Sequence, residues 1–349
     1  MVGVRKRGEE IRRFVLENVT EHPRDIVART MARFDITREA ALQHVRKLIA
    51  QKAIIAEGKT RNRTYRLHPS TPWARTYALD GLEEDLVYDG GIGKQLADLP
   101  DNVRNAWAHG ITEMVNNAID HSEGTTVHVE LKRTAADCTV TIRDNGIGIF
   151  QKIAAAQDLA SPAQAVLELS KGRFTTDPEN HSGEGVFFCS RIFDFYAVAS
   201  GDTVYARRFG RPADVVLPDG SGLGEVEGTE VIMKLSNNTS RTVRQVMDEF
   251  TTPDEDHYGF TDTVIPIKLA KQGDFLVSRS QAKRVLLRAE SFRTVVFDFE
   301  GVDSIGQAFA DEVFRVFHRR HPEVNLKVIN ANKSVQRMIS RAEVTNPSN

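Results

Sequence analysis

DNVRNAWAHGITEMVNNAIDHSE, residues 101–123, is followed by TVHVELKR (126–133) and CTVTIRDNGIGI (138–149). Val103, Trp107, Ile111, Met114, Val115, Ala118 and Ile119 recur at helical spacing, which predicts one long helix with a buried face. Glu113 and Asn117, four residues apart, share a face one turn from each other. Stacked in this way, a carboxylate and a carboxamide can together hold a hydrated Mg²⁺ and a water; on an isolated amphipathic helix they would be an exposed polar pair. The two segments that follow alternate as strands do, and the second ends in Asp144, an acceptor suited to an exocyclic amine such as adenine N6. Gly146 and Gly148 come next, where a backbone can approach a ligand closely.

A second glycine pair, Gly183 and Gly185, lies in HSGEGVFFCSRIFD (181–194) at the expected start of another helix, where free N–H groups favour phosphate. GTEVIMKL (228–235) adds a strand that opens on Gly228 and Thr229. One Gly-x-Gly is weak, but the four elements in this order are specific. In these residues the stretch 75–240 resembles the superfamily of gyrase, heat-shock chaperone, histidine kinase and mismatch-repair ATPases (GHKL), whose Bergerat-type α/β sandwich binds ATP. The resemblance implies ATP and Mg²⁺ as cofactors, Asn117 as the Mg²⁺ ligand and Asp144 as the adenine acceptor. It implies Gly146 and Gly148 as the adenine-side loop, Gly183 and Gly185 as the phosphate-side loop, and Thr229 as a hydroxyl of the pocket. Glu113 stands where ATP-hydrolysing members and anti-sigma serine kinases keep a general base, a place where histidine kinases commonly carry Asn.

Residues 150–182 are expected to be a mobile lid over the triphosphate, with Lys171 or Arg173 either neutralising the γ-phosphate or solvated. Glu184 between the glycines and Phe187-Phe188 after them depart from the common kinase pattern. His109 and His121 flank the helix face and read as structural histidines.

Charge is unevenly spread. Residues 1–70 hold 16 Lys and Arg against 8 Asp and Glu, a net of +8, whereas the remaining chain holds 30 against 40, a net of −10. Such asymmetry points to nucleic acid or another polyanion, or to a solvated basic face. Helical patterns at 8–19, 24–34 and 37–51, with Thr37 as N-cap, precede two short strands joined by the polar tip EGKTRNR (57–63). This order resembles the winged helix-turn-helix family, which implies double-stranded DNA as partner. In that reading Arg38, Gln43, His44 and Lys47 face the major groove, and Lys59, Arg61 and Arg63 lie at the wing tip. Winged helices also serve as protein adaptors.

Polar, acidic residues 241–262 with Pro253 read as a linker. Beyond them strand and helix patterns alternate to 343, as in a small α/β layer with a mainly parallel sheet. VVFDFEGVDSIGQAFADEVF (295–314) resembles the STAS-like domains, which include anti-anti-sigma factors, and the resemblance makes Ser304 a phosphoacceptor candidate. Ser304-x-x-Gln307 is equally a helix capping box.

At 349 residues, 40% apolar and 27% charged, the chain is expected to be soluble and to hold several domains. It lacks a run of ~18–20 apolar residues and a signal-peptide pattern, so a cytoplasmic protein without membrane contact is expected. Cys138 and Cys189 have no metal-ligand spacing and read as buried reduced thiols. The expected architecture is multidomain α+β: a winged helix-turn-helix at 1–70, the ATP-binding domain at 75–240 and the STAS-like domain at 262–345. The expected activity is that of an ATP-hydrolysing regulator whose nucleotide switch controls the DNA-binding and interaction modules. The alternatives are an anti-sigma-type serine kinase acting on Ser304 or on a STAS partner, and a non-catalytic nucleotide-dependent scaffold. Homodimerisation is an expectation by family analogy alone.

Overall fold

Helices α1 (Val2–Asn18), α2 (Ile26–Phe34) and α3 (Arg38–Ala50) precede an antiparallel hairpin of β1 (Ile54–Glu57) and β2 (Thr64–Leu67), with Ile54 opposite Leu67. The computed structural model describes residues 2–59, 62–70, 72–159, 162–172, 183–210, 215–217, 226–251, 260–267 and 276–344. These elements belong to the first of two units, Met1–Arg75 with Val129–Val140 and Lys234–Thr239. Asp35, at φ 50°, closes α2, and the Thr37 hydroxyl accepts the Ala40 N–H at 3.3 Å to open α3. One apolar cluster of Val15, Val19, Ile26, Val45, Leu48, Ile54 and Tyr65 joins the three helices to the hairpin.

A seven-stranded sheet has the order β3-β4-β5-β9-β6-β7-β8. Its strands are β3 (Trp73–Ala78), β4 (Thr126–Arg133), β5 (Asp137–Asp144), β6 (Phe195–Gly201), β7 (Thr203–Arg208), β8 (Val215–Leu217) and β9 (Val226–Ser236). β4 and β5 bury alternate residues, Val127, Val129 and Leu131 on one and Cys138, Val140 and Ile142 on the other. β6 carries no such alternation because Tyr196 through Ser200 are all buried, which is why period-two reading passes over it. Both cysteines are free and buried.

The second unit comprises Thr76–His128, Thr141–Met233 and Ser240–Asn349. Its long helix α4 (Asp101–His121) buries Val103, Trp107, Ile111, Met114, Val115 and Ala118, and the Trp107 ring lies 4.8 Å from that of Phe193. The stretch expected to be a mobile lid holds two helices, α5 (Ile149–Ala156) and α6 (Pro162–Lys171), because each has an apolar face to bury. Residues 173–182, Arg173 among them, lie outside the described residues. Helix α7 (Gly185–Ile192) follows. The expected linker contains α8 (Val243–Asp248), held by a capping box in which Thr242 and Gln245 exchange hydrogen bonds.

Three parallel strands, β10 (Asp262–Pro266), β11 (Thr294–Asp298) and β12 (Asn325–Ile329), form a second sheet in that order. α9 (Arg279–Leu286) starts at a Ser278–Gln281 capping box and ends just before Arg288, which turns the chain at φ 61°. α10 (Gln307–Asp311) passes into a π-helical stretch at Glu312–Phe317. Its N-cap is Gly306, so Ser304 lies two residues ahead of the cap position and does not cap the helix. α11 (Lys333–Val344) ends the described chain. Among the described residues no helix is long and apolar enough to cross a membrane.

Candidate functional site

A cavity of about 290 Å³ opens between α4, the loop after β5, α6 and the start of α7. Its lining includes Glu113, Asn117, Asp144, Gly183, Gly185 and Thr229, so six of the residues singled out in the sequence converge on one space.

Asp144, 7% exposed at the end of β5, accepts the Gly146 N–H at 2.9 Å and the Thr229 N–H at 3.2 Å on one oxygen. Burial raises its carboxyl above the ordinary carboxylate range, and the N–H donors pull partly the other way. The Thr229 hydroxyl accepts the Ile149 N–H at 2.9 Å, so a side chain from β9 satisfies the free first turn of α5. Gly148 is the N-cap of that helix at φ 86°, and a Cβ there would fall on the Ser200 hydroxyl.

At the other end, the Glu113 side chain is 37% exposed, and its carboxylate lies where a Cβ of Gly185 would stand. A general-base candidate therefore touches the backbone that opens α7. One turn earlier His109 places Nδ1 4.0 Å from Glu113 Oε1, while its Nε2 is buried with no hydrogen-bond partner among the described residues. Burial lowers the His109 pKa, so the imidazole is neutral near pH 7. His109 is thus a neighbour of the carboxylate, at the four-residue spacing that puts both on one helix face.

Asn117 sets its amide nitrogen 3.9 Å from the Met114 sulfur, which leaves the side-chain oxygen as the end suited to a cation. Among the described residues no cluster of three His, Cys, Asp or Glu could hold a metal unaided. Mg²⁺ prefers about six oxygens and keeps several waters, so one amide oxygen beside a carboxylate fits a cation that arrives with phosphate oxygens.

Lys171 is not in the cavity. Its side chain is fully buried, with Nζ 2.6 Å from Glu168 Oε1 and donating to the Leu287 carbonyl at 2.8 Å. Here the ammonium is consumed by protein partners, which corrects both expectations of it, phosphate contact and solvation. The lysine that does line the cavity is Lys152 on α5, with Nζ donating to the His121 carbonyl at 2.8 Å and to Glu123 at 3.2 Å. The sequence reading missed it because its apolar flank, Ile149 and Ile153, looks like ordinary amphipathic helix.

In the first unit Arg38, Gln43, Lys47, Lys59 and Arg63 are exposed. His44 is only half-exposed and packs by Gly8 of α1, and Arg61 lies outside the described residues. Ser304 is half-exposed beside Ile305, which bridges to Leu276.

This arrangement of helix, sheet and glycine loop around one cavity lies in a stretch that is similar to an ATP-binding family. Residues 102–237 match the family described as histidine kinase-, DNA gyrase B- and HSP90-like ATPase, whose domains bind ATP, usually with Mg²⁺. Residues 281–336 match the STAS-like domain of unknown function (DUF4325). No curated protein sequence matches the chain.

Proposed function

We propose that this protein is a cytoplasmic, ATP-hydrolysing regulator. In this reading the central domain binds Mg²⁺–ATP and acts on a DNA-binding winged helix-turn-helix at residues 1–70 and on the STAS-like module as a protein-interaction arm. The observation that carries the reading is the juxtaposition of Glu113 with the Gly185 backbone, with Asn117 one turn further on and Asp144 at the opposite end of the cavity. Asp144 takes the adenine amine, the N–H groups opening α7 take phosphate oxygens, and Glu113 draws the proton from an attacking water. Asn117 would hold Mg²⁺ through its side-chain oxygen, and the cation would supply charge neutralisation on the phosphates. The net +8 of residues 1–70 and the exposed Gln43, Lys47, Lys59 and Arg63 support DNA as the partner of the first module.

The test is incubation with γ-labelled ATP and Mg²⁺, following free phosphate and protein-bound label together. Free phosphate that falls about 10²–10⁴-fold in Glu113→Gln, with ATP still bound, is the expected result. Label held on the protein and lost in Ser304→Ala would replace the ATPase by a kinase; neither signal despite bound ATP would leave a scaffold.

A further inference from the structure

The last turn of α6 has two occupied faces. Leu169 lines the nucleotide cavity, whereas Glu168 and Lys171, 2% and 0% exposed, are sunk against the STAS-like domain. A lysine buried to this degree is costly to maintain unless its charge and donors are used, and here they are. Lys171 Nζ lies 2.6 Å from Glu168 Oε1, 2.8 Å from the Leu287 carbonyl and 3.4 Å from that of Arg284, so it caps the carboxy-terminal carbonyls of α9. The reverse contacts exist as well. Thr263 on β10 donates its hydroxyl to the Lys171 carbonyl at 2.6 Å, and Arg288, just past α9, donates to the Gly172 carbonyl at 3.1 Å. Arg288 also approaches Glu168 at 3.6 Å. Each helix end is therefore satisfied by a side chain from the other domain.

A second connection leaves the cavity wall at α7. Gly185 and Val186 line the cavity, and the next residue, Phe187, stacks 4.3 Å from Phe260, itself 5.6 Å from Phe292 of the STAS-like module. The two connections adjoin, since the Phe187 and Phe260 rings lie against Gly172 at the end of α6, and they end on the same small domain.

We propose that this reciprocal clasp of α6 and α9 couples the nucleotide site to the STAS-like domain, so that ATP binding orders the region around α9 and the STAS-like domain in turn sets ATP affinity. The proposal rests on the ATP-binding reading of the cavity. Its thermodynamic content is reciprocal: whatever a partner does to α9 must appear at the nucleotide, and the converse. A partner protein binding the STAS-like module beside α9 would act on ATP occupancy without touching the cavity.

The experiment is amide hydrogen exchange of the full chain over residues 279–292, with and without a non-hydrolysable ATP analogue and Mg²⁺, with analogue binding measured on the same samples by calorimetry. Wild type is expected to show exchange slowed at least threefold by the analogue. Thr263→Val, which removes one clasp hydrogen bond and keeps the shape, and the neutral pair Glu168→Gln/Lys171→Met are expected to bind the analogue yet lose most of that slowing. Bound analogue with unchanged exchange in wild type overturns the clasp and leaves the ATP reading intact. Equal slowing in wild type and Thr263→Val also overturns it, and Thr263→Val keeps the test decisive if the pair variant does not fold. No analogue binding in wild type overturns both.

Discussion

The nucleotide cavity and the α6–α9 clasp share one helical turn and treat charge in opposite ways. In the cavity, Glu113 keeps 37% of its side chain exposed and Asn117 turns only its nitrogen to a weak sulfur partner. Lys152 has capacity left after its two bonds to the backbone and Glu123. In the clasp, Lys171 is fully enclosed, and its donors go to a carboxylate and two helix-end carbonyls. Both regions hold charged residues near glycine-rich sequence, so residue type alone does not separate a ligand site from a structural one. What separates them is burial: the Lys152–Glu123 pair is open to solvent, whereas the Lys171–Glu168 pair is enclosed with its donors used.

The largest effect should come from breaking the clasp on one side only. Lys171→Met leaves Glu168 buried at 2% exposure, with Arg288 3.6 Å away as its remaining basic neighbour among the described residues, and removing one partner of a buried pair costs about 3–5 kcal/mol. Glu168→Gln/Lys171→Met removes both charges and should recover most of that loss. Urea unfolding midpoints of the two variants measure the difference; equal midpoints would show that the pair is not buried as a unit.

A smaller effect, with a fixed sign, should appear on changing pH. Burial lowers the Lys171 pKa to about 8 from its ordinary 10.5, although Glu168 pulls it back up. Between those values the unfolded chain holds a proton that the folded chain has released, so this group makes stability rise with pH across the window and leaves it flat below. Subtracting the urea-midpoint profile of the neutral pair variant from that of wild type isolates the contribution. A difference that falls between pH 8 and 10 would contradict it.

These contrasts also show which parts were legible in the sequence. The α4 stripe, β4, β5, the glycine loops and the parallel strands of the second sheet follow local periodicity, and local periodicity is what a sequence displays directly. Lys171 was not legible because its partners, Leu287 and Arg284, lie more than a hundred residues away and act through backbone carbonyls, which leave no mark on residue type. Ser304-x-x-Gln307 has the right letters for a cap, but the bridge between Ile305 and Leu276 extends the chain past Ser304 and hands the cap to Gly306. α8 could have been seen, since Thr242-x-x-Gln245 is the same motif in a stretch whose Pro253 drew attention to a linker.

The smallest expected effect sharpens the contrast between the two lysines. Lys152 is the one lysine or arginine among the described residues lining the cavity, and its side chain is 21% exposed. A phosphate-bearing ligand brings charge that Glu113 and Asp144 do not offset, so Lys152 should contribute to holding it. Because the site is partly solvated, the contribution should be on the order of 1 kcal/mol, roughly a fivefold rise in the ATP dissociation constant for Lys152→Met. Added salt should shrink that difference. Its unfolding midpoint should move little, since the His121 carbonyl it caps can turn to water at a half-exposed position. Lys171→Met should do the reverse, costing stability first. If Lys152→Met instead unfolds the protein and leaves ATP affinity unchanged, its ammonium is a helix cap and nothing more, and the cavity draws its positive charge from elsewhere.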